Sequence, residues 1–355
     1  MTLEDLGYNS IIEKEREANG MAAFELGRVV TQHKDRYILR TAQQAYEAEL
    51  LGKLRFSANS NEDLPVVGDW VIFSDFDQNK AIIHAVLPRQ TVLKRQAVGK
   101  STQSQIIASN IDFGFILQSA NRDFNLNRIE RYLTICNTAG VEAIIILTKI
   151  DLIEEAQKNV LLDAIQERVK GVKVLSISNE TMEGLDAVKA LIKKGKTYCL
   201  LGSSGVGKST LLNMIIGADV MNTDAISDNI DRGRHVTTHR QLVVLQTGGV
   251  FIDNPGMREI GLTESSEGME VTFEAIMSLA NQCKFNDCKH QREKDCAVQL
   301  ALENGEIDES TFKNFIKLEK ERAFFESSIE EKRKLDKTFG KMVKRVKKLR
   351  KNNKF

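Results

Sequence analysis

The sequence predicts a multidomain α/β protein: a small N-terminal β-barrel, then a parallel sheet with helices on both faces, then a helical region carrying a cysteine and histidine cluster. Three observations predict it. Residues 24–87 alternate short β-rich runs with turns: "GRVV", "RYILRTA", "YEAELLGKLRFS", "GDWVIF" and "AIIHAVL". From Ile106 apolar runs alternate with helical stretches, and beyond Gly256 that alternation stops. Three of the five cysteines then fall in one short polar segment, followed by long charged helical sequence.

Five β-rich runs at this spacing, with almost no helical period, read as a small barrel, and an oligonucleotide-binding (OB) type fits the strand count. Arg89 to Ser104, "RQTVLKRQAVGKSTQS", is polar and basic without a clear period, and reads as a linker or exposed loop. The next units pair a strand with a helix: "IDFGFILQSA" with "LNRIERYLTICNTAG", "VEAIIILTKI" with "EEAQKNVLLDAIQERV", "VKVLSIS" with "GLDAVKALIKKG", and "TYCLLG" with "KSTLLNMIIG". Repeated strand-then-helix units imply a parallel sheet covered on both faces.

With 355 residues, 42% of them hydrophobic, the chain is long enough for two or three domains that each bury a core. The formal net charge of +1 conceals an asymmetry: from Lys332 to Phe355 half the positions are basic and Asp336 is the only acid. A negatively charged partner is implied for one end only. The N-terminus "MTLEDLGYNS" lacks a basic stretch followed by an apolar one, and no window approaches the roughly 18 to 20 apolar residues that span a bilayer. A soluble cytoplasmic protein with no membrane partner is expected, with a monomer as its working state. Cys136 and Cys199 lie in helical and strand patterns, whereas Cys283, Cys288 and Cys296 cluster, which suits a metal site better than a disulfide framework.

"GSSGVGKST", Gly202 to Thr210, matches GxxxxGK[ST] and sits between an apolar strand and a helix, the context that motif requires. Its backbone N–H groups, from Gly202 through Ser203, Ser204, Gly205, Val206 and Gly207 to Thr210, would cradle phosphates at a helix N-terminus. Lys208 would reach the outer phosphates, where it serves catalysis, and Ser209 would ligate magnesium. "FIDNPG" ends another apolar strand, with Asp253 placed to hold magnesium through water and Gly256 to contact the γ-phosphate. Thr148, Lys149 and Asp151, in "IIILTKIDLI", match the base-reading element [NT]KxD. A carboxylate edge accepts from guanine N1–H and N2–H2, whereas adenine presents an acceptor there. Ser178 and Asn179 stand where a loop would support the base from its other side. Together these elements make GTP with magnesium the expected nucleotide.

The base-reading element precedes the phosphate loop, and the DxxG-type element comes third. That is the order of a circularly permuted GTPase, whose site survives because a strand's place in a sheet does not depend on where the chain begins. Between them, "DRGRHVTTHRQLVVL" suits a loop that orders on γ-phosphate and magnesium, with Thr237 or Thr238 as the second hydroxyl on the metal. Met257 follows DNPG, and a thioether cannot orient water, so His235 is the candidate for that task; that His235 and His239 are plain loop residues stays open. "CKFNDCKHQREKDC" offers Cys283, Cys288, His290 and Cys296, a complete set for a closed structural zinc site, against the alternative of reduced surface cysteines. The basic tail fits an RNA backbone, or a solvated helix face.

This combination resembles the ribosome small-subunit-dependent GTPase A family, through "VVGDWVIF", "NRDFNLNRIERYL", TKID, GSSGVGKST, GRHVTTHR, DNPGMRE and the Cys-His cluster. The resemblance implies an OB-fold, a permuted GTPase domain and a zinc-containing domain, acting late in small-subunit assembly on the subunit and its rRNA, with hydrolysis stimulated there. It also implies that His235 helps to position the attacking water. Val236 stands where the family often has the first of three threonines, and Asn254 replaces the usual threonine of DTPG. The expected division is an N-terminal extension at 1–22, the barrel at 23–95, the permuted GTPase domain at 96–265 and the zinc-binding helical domain with its tail at 266–355. Two other readings stay open: an RNA-binding assembly factor that uses GTP only as a conformational latch, and an enzyme that modifies small molecules with nucleotide energy.

Overall fold

The computed structural model describes residues 1–18, 20–33, 36–58, 60–96, 104–217, 241–253, 266–291 and 293–326. The expected barrel is formed by β1 (Glu25–His33), β2 (Arg36–Arg40), β3 (Ala45–Leu50), β4 (Trp70–Asp77) and β5 (Lys80–Val86), paired in the order β1-β2-β3-β5-β4 and closed by β4 on β1. The β3–β5 pair is parallel and the other four are antiparallel, the Greek-key closure of an OB barrel. Alternate residues fill it: Val29, Tyr37, Leu39, Val71, Phe73 and Ile83 are all buried.

Two local expectations do not hold. "YEAELLGKLRFS" is not one strand: β3 stops at Leu50, and Gly52–Ser57 forms a short helix, α2, which only partly buries Leu54 against the barrel and leaves Phe56 91% exposed. Without a second apolar row, the pleat has no reason to continue. The segment after Arg89 is not all loop, because Val92–Gln96 (β6) pairs antiparallel with Ser104–Ser109 (β7) and buries Leu93 completely.

The N-terminal extension packs on the barrel. Helix α1 (Ser10–Ala18) and the turn before it bury Ile12 and Leu6 against Leu26, Trp70 and Ile72. Behind them Arg28 is 1% exposed, with its guanidinium over the Trp70 ring at 5.6 Å. It donates to the carbonyls of Leu6, Gly68 (3.1 Å) and Asn110 (3.0 Å) and to Thr197 Oγ1 (3.0 Å), joining extension, barrel and the next sheet. Burial pushes its pKa down to about 10, so it stays charged at neutral pH.

The second unit has the order β10-β9-β8-β11-β13-β12, from β8 (Phe113–Ser119), β9 (Glu142–Thr148), β10 (Lys173–Ser176), β11 (Thr197–Leu201), β12 (Gln241–Val244) and β13 (Val250–Asp253). Every pair is parallel except β12 with β13. Helices α3 (Leu126–Ala139), α4 (Glu155–Arg168) and α5 (Leu185–Ala190) connect the parallel strands, and α6 (Lys208–Gly217) follows β11. Two separate apolar clusters, one containing Ile145 and Ile116, the other Phe115 and Ile146, cover the two faces. Residues of β8 and β9 contribute alternately to each, as strands buried on both faces must. Beyond the edge strand, β12 meets the barrel through the antiparallel pair Thr31 and Gln241, so the two sheets are continuous.

The C-terminal helices are α7 (Ser266–Thr272), α8 (Glu274–Ala280), α9 (Ala297–Glu303) and α10 (Glu309–Glu326). Helix α7 crosses α3 at Gly268, where a Cβ would lie 2.0 Å from Thr138 Oγ1 and 2.5 Å from the Thr134 carbonyl, so only glycine admits the approach. Helix α10 is tied to α3 by charge. Arg131 grips Glu321 with two bonds of 2.6 and 2.7 Å, and the buried Glu130 accepts from Arg168 (2.5 Å) and Asn314 (2.6 Å). Among the described residues, no helix is long and apolar enough to cross a membrane.

Candidate nucleotide site and metal cluster

The loops that follow β9, β10 and β11, and the end of β13, all leave the carboxyl edge of the parallel sheet, where open α/β sheets bind ligands. There they surround a cleft of ≈ 460 Å³ lined by Lys149, Asp151, Leu152, Asn179, Glu180, Ser204, Gly205, Gly207, Lys208, Ser209 and Thr210. Nine of these are sequence-predicted site residues. Leu152 and Glu180 are not, and only their adjacency to Asp151 and Asn179 could have marked them.

Chain direction around the cleft follows from backbone chemistry. After β11 the loop turns through Gly202 (φ 144°), Gly205 (φ 80°) and Gly207 (φ 98°) before α6 opens at Lys208. A side chain at 202 would sit 2.6 Å from the Leu117 carbonyl, and one at 207 would sit 2.7 Å from Asn179 Nδ2, while Gly205 faces open space. Those conformations turn backbone N–H groups inward, and α6 adds its N-terminal partial charge. Lys208 Nζ folds back to donate to the carbonyls of Gly202 (2.6 Å) and Ser203 (2.5 Å).

Base-loop residues divide into lining and support. Thr148 is fully buried and donates from Oγ1 to the Val206 carbonyl at 2.7 Å. Lys149 turns through the left-handed region at φ 61°, which brings Asp151 to the rim. Ser178, 1% exposed, donates to Asp151 Oδ1 at 2.5 Å while its Oγ accepts from the N–H groups of Glu180 and Thr181 at 3.1 Å. This ties one oxygen of the carboxylate in place at the cleft. Asn179 Nδ2 donates to the Gly207 carbonyl at 3.2 Å, and its Oδ1 is buried with no partner among the described residues. An acceptor left open beside a carboxylate fits a ligand edge that carries donors, as guanine does. Of the expected magnesium ligands, Ser209 lines the cleft and Asp253 closes β13. His235, Thr237, Thr238 and Gly256, with Val236, Asn254, Met257 and the basic tail, lie outside the described residues.

The cysteine cluster assembles as the spacing predicts. One ligand atom from each of Cys283, Cys288, His290 and Cys296 lies within 4.8 Å of the others. Cys283 Sγ lies 3.8 Å from Cys296 Sγ, and His290 Nδ1 lies 3.6 and 3.4 Å from those two sulfurs. A tetrahedral ion with metal–sulfur bonds of about 2.3 Å and metal–nitrogen bonds of about 2.0 Å gives edges of roughly 3.8 and 3.5 Å, so Cys283, His290 and Cys296 already stand at the spacing of such an ion, with Cys288 within 4.8 Å of them. His290 (φ 55°) and Asp295 (φ 60°) take left-handed backbone to wrap the cluster. Burial lowers the His290 pKa, which favours the neutral imidazole a metal needs. Cys296 caps α9, its sulfur accepting from the Gln299 N–H at 3.4 Å.

A P-loop at the carboxyl edge of a parallel sheet, a base-reading loop before it in the chain and a barrel in front define a circularly permuted GTPase. The family model described as RsgA GTPase matches residues 86–263. The small ribosomal subunit biogenesis GTPase RsgA 2 of Lactiplantibacillus plantarum is 42% identical over 326 residues, covering 91% of each chain. RsgA 1 of Bacteroides thetaiotaomicron is 36% identical over 347 residues, 98% of this chain and 97% of that one. Crystalline YjeQ from Thermotoga maritima superposes with a TM-score of 0.62 at 27% identity, over 82% of this chain and 96% of that one. The chain belongs to the RsgA GTPase family. YloQ, described as a circularly permuted GTPase, shares the fold at a TM-score of 0.61 and 23% identity.

Proposed function

We propose that this protein hydrolyses GTP as a biogenesis factor of the small ribosomal subunit, working in the cytoplasm on that subunit and its rRNA. One observation carries the reading: a carboxylate held by Ser178 and a glycine-rich phosphate loop share one cleft, joined by the bonds from Thr148 and Asn179. In it Asp151 reads guanine, with Lys149 and Asn179 flanking the base, and the N–H groups from Gly202 to Thr210, with Gly256, cradle the phosphates. Lys208 leaves the loop carbonyls for the outer phosphates. Ser209, Asp253 and Thr237 or Thr238 surround magnesium, which supplies charge neutralisation, and His235 positions water. Cys283, Cys288, His290 and Cys296 hold one structural zinc. The domains are those read from the sequence, with barrel, cysteine cluster and basic tail contacting rRNA.

The test is GTP hydrolysis by the purified protein with and without small ribosomal subunits, alongside His235→Ala. Stimulation that the variant loses supports the reading. No turnover under either condition would return the latch alternative, which no present observation favours, and turnover that depends on a metabolite without subunits would return the small-molecule one.

A further inference from the structure

The phosphate loop has a direction. Asn179 holds its Gly207 end, on the base side, and Lys208 Nζ, the group that follows the outer phosphates, rests at Gly202 and Ser203. Whatever stands at Ser203 stands at the outer-phosphate end. There Arg128, in the first turn of α3, brings Nη1 to 3.5 Å from Ser203 Oγ and 3.4 Å from the Asp123 carbonyl.

Both contacts are long, and the side chain is exposed. Among the described residues it makes no ion pair, unlike Arg131 and Arg168 on the same surface. Its place also runs against helix electrostatics. The first turn of α3 holds no acid, Asn125 Oδ1 caps it by accepting from the Arg128 N–H at 3.3 Å, and a cation there adds to the positive end of the dipole. Such a charge gains nothing from its own helix and is placed to gain from an anion at the loop.

We propose that Arg128 is a catalytic residue, an arginine supplied in cis that contacts the γ-phosphoryl group during hydrolysis. The inference rests on the GTPase reading of the cleft. In the step, a water oxygen bonds to the γ-phosphorus and the bond from that phosphorus to the β–γ bridging oxygen breaks. The bridging oxygen keeps the electron pair as GDP leaves, and the water's surplus proton is released, giving inorganic phosphate. Negative charge on the γ-phosphoryl and bridging oxygens is what a guanidinium stabilises, and Lys208 alone supplies a point charge rather than a fork.

The experiment uses the full-length chain under single-turnover conditions, with Arg128→Ala and Arg128→Lys. Arginines in this role are worth roughly 10³ to 10⁵ in rate. For one that reaches across an open rim, the expected loss in Arg128→Ala is at least about tenfold, with GDP affinity held within about twofold and Arg128→Lys in between. Binding of GDP with aluminium fluoride, which mimics the transferring phosphoryl, should fall in Arg128→Ala while GDP alone still binds. Wild-type rates in Arg128→Ala would overturn the proposal, as would equal losses of rate and GDP affinity, which mark a loop-supporting role. A wild-type protein that binds GDP but hydrolyses no GTP with or without small subunits would remove the enzyme reading and this proposal with it.

Discussion

Thr148 Oγ1 donates a 2.7 Å hydrogen bond to the carbonyl of Val206, so the residue that opens the base-reading loop also holds the middle of the phosphate loop. Both are buried. Thr148→Val keeps the shape and deletes the donor, leaving a buried carbonyl unpaired at about 1 to 3 kcal/mol. GDP affinity measured by titration should fall about tenfold or more, with guanine still preferred over adenine.

Asp151→Asn should behave differently. An amide edge presents one donor and one acceptor, which suits the carbonyl and N–H of xanthine better than the two donors of guanine. Competition between GDP and XDP should therefore move toward XDP, while undiminished guanine preference would remove Asp151 from base reading. Its support by Ser178 predicts a smaller shift in the same direction for Ser178→Ala.

The cysteine cluster predicts one zinc per chain by metal analysis of protein purified under reducing, chelator-free conditions. Cys296→Ser should lower that content and the midpoint of thermal unfolding together, since Cys296 is both a cluster member and the cap of α9. Zinc-free wild-type protein with an unchanged unfolding midpoint would contradict the assignment.

Glu130 is 2% exposed and its carboxylate is shared between Arg168 and Asn314. Glu130→Ala leaves the Arg168 guanidinium with Asp308 (2.8 Å) as its remaining ion pair and takes an acceptor from Asn314, at a cost of about 1 to 3 kcal/mol. A second change, Arg168→Met, should recover much of that loss in thermal unfolding. A double variant no better than Glu130→Ala would mean that packing, not charge, is what Glu130 supplies.

Acid should loosen the N-terminus. Lys194 bonds to Asp5 at 2.8 Å, and that bond, with the Thr2 N–H, holds the carboxyl below its ordinary value of 3.8. A depressed carboxylate contributes stability above the unfolded pKa and loses it as pH falls through the lower folded value. The contribution should be complete above about pH 3.8, decline as pH falls below it, and be absent in Asp5→Asn. Amide exchange in residues 1–12, followed between pH 3 and 6, reads it.

Much of this was legible. Gly202 to Thr210 betrays itself because only glycine tolerates those backbone angles, and Thr148 to Asp151 is legible only beside that loop, since TKxD alone is common by chance. The Cys-His spacing likewise closed as read. What escaped the sequence depends on partners distant along the chain. Leu6 and Ile12 are ordinary residues of a charged stretch until Trp70 gives them a face to cover. Leu93 makes β6 a strand only because β7 lies beside it. Arg128 carries no motif, and Ser203 alone gives it meaning.

The pairing of Thr31 with Gln241 has a consequence for handling the protein. Strand β12 is the last of its sheet, and β1 is what stands against its open backbone groups. A GTPase unit expressed without residues 1–86 would uncover Gln241, the residue of this edge that pairs with Thr31, and so lengthen an open strand edge beside apolar side chains, the kind of edge that recruits a second copy. Self-association of that fragment, relieved when the barrel is added back on the same chain, is the behaviour to expect.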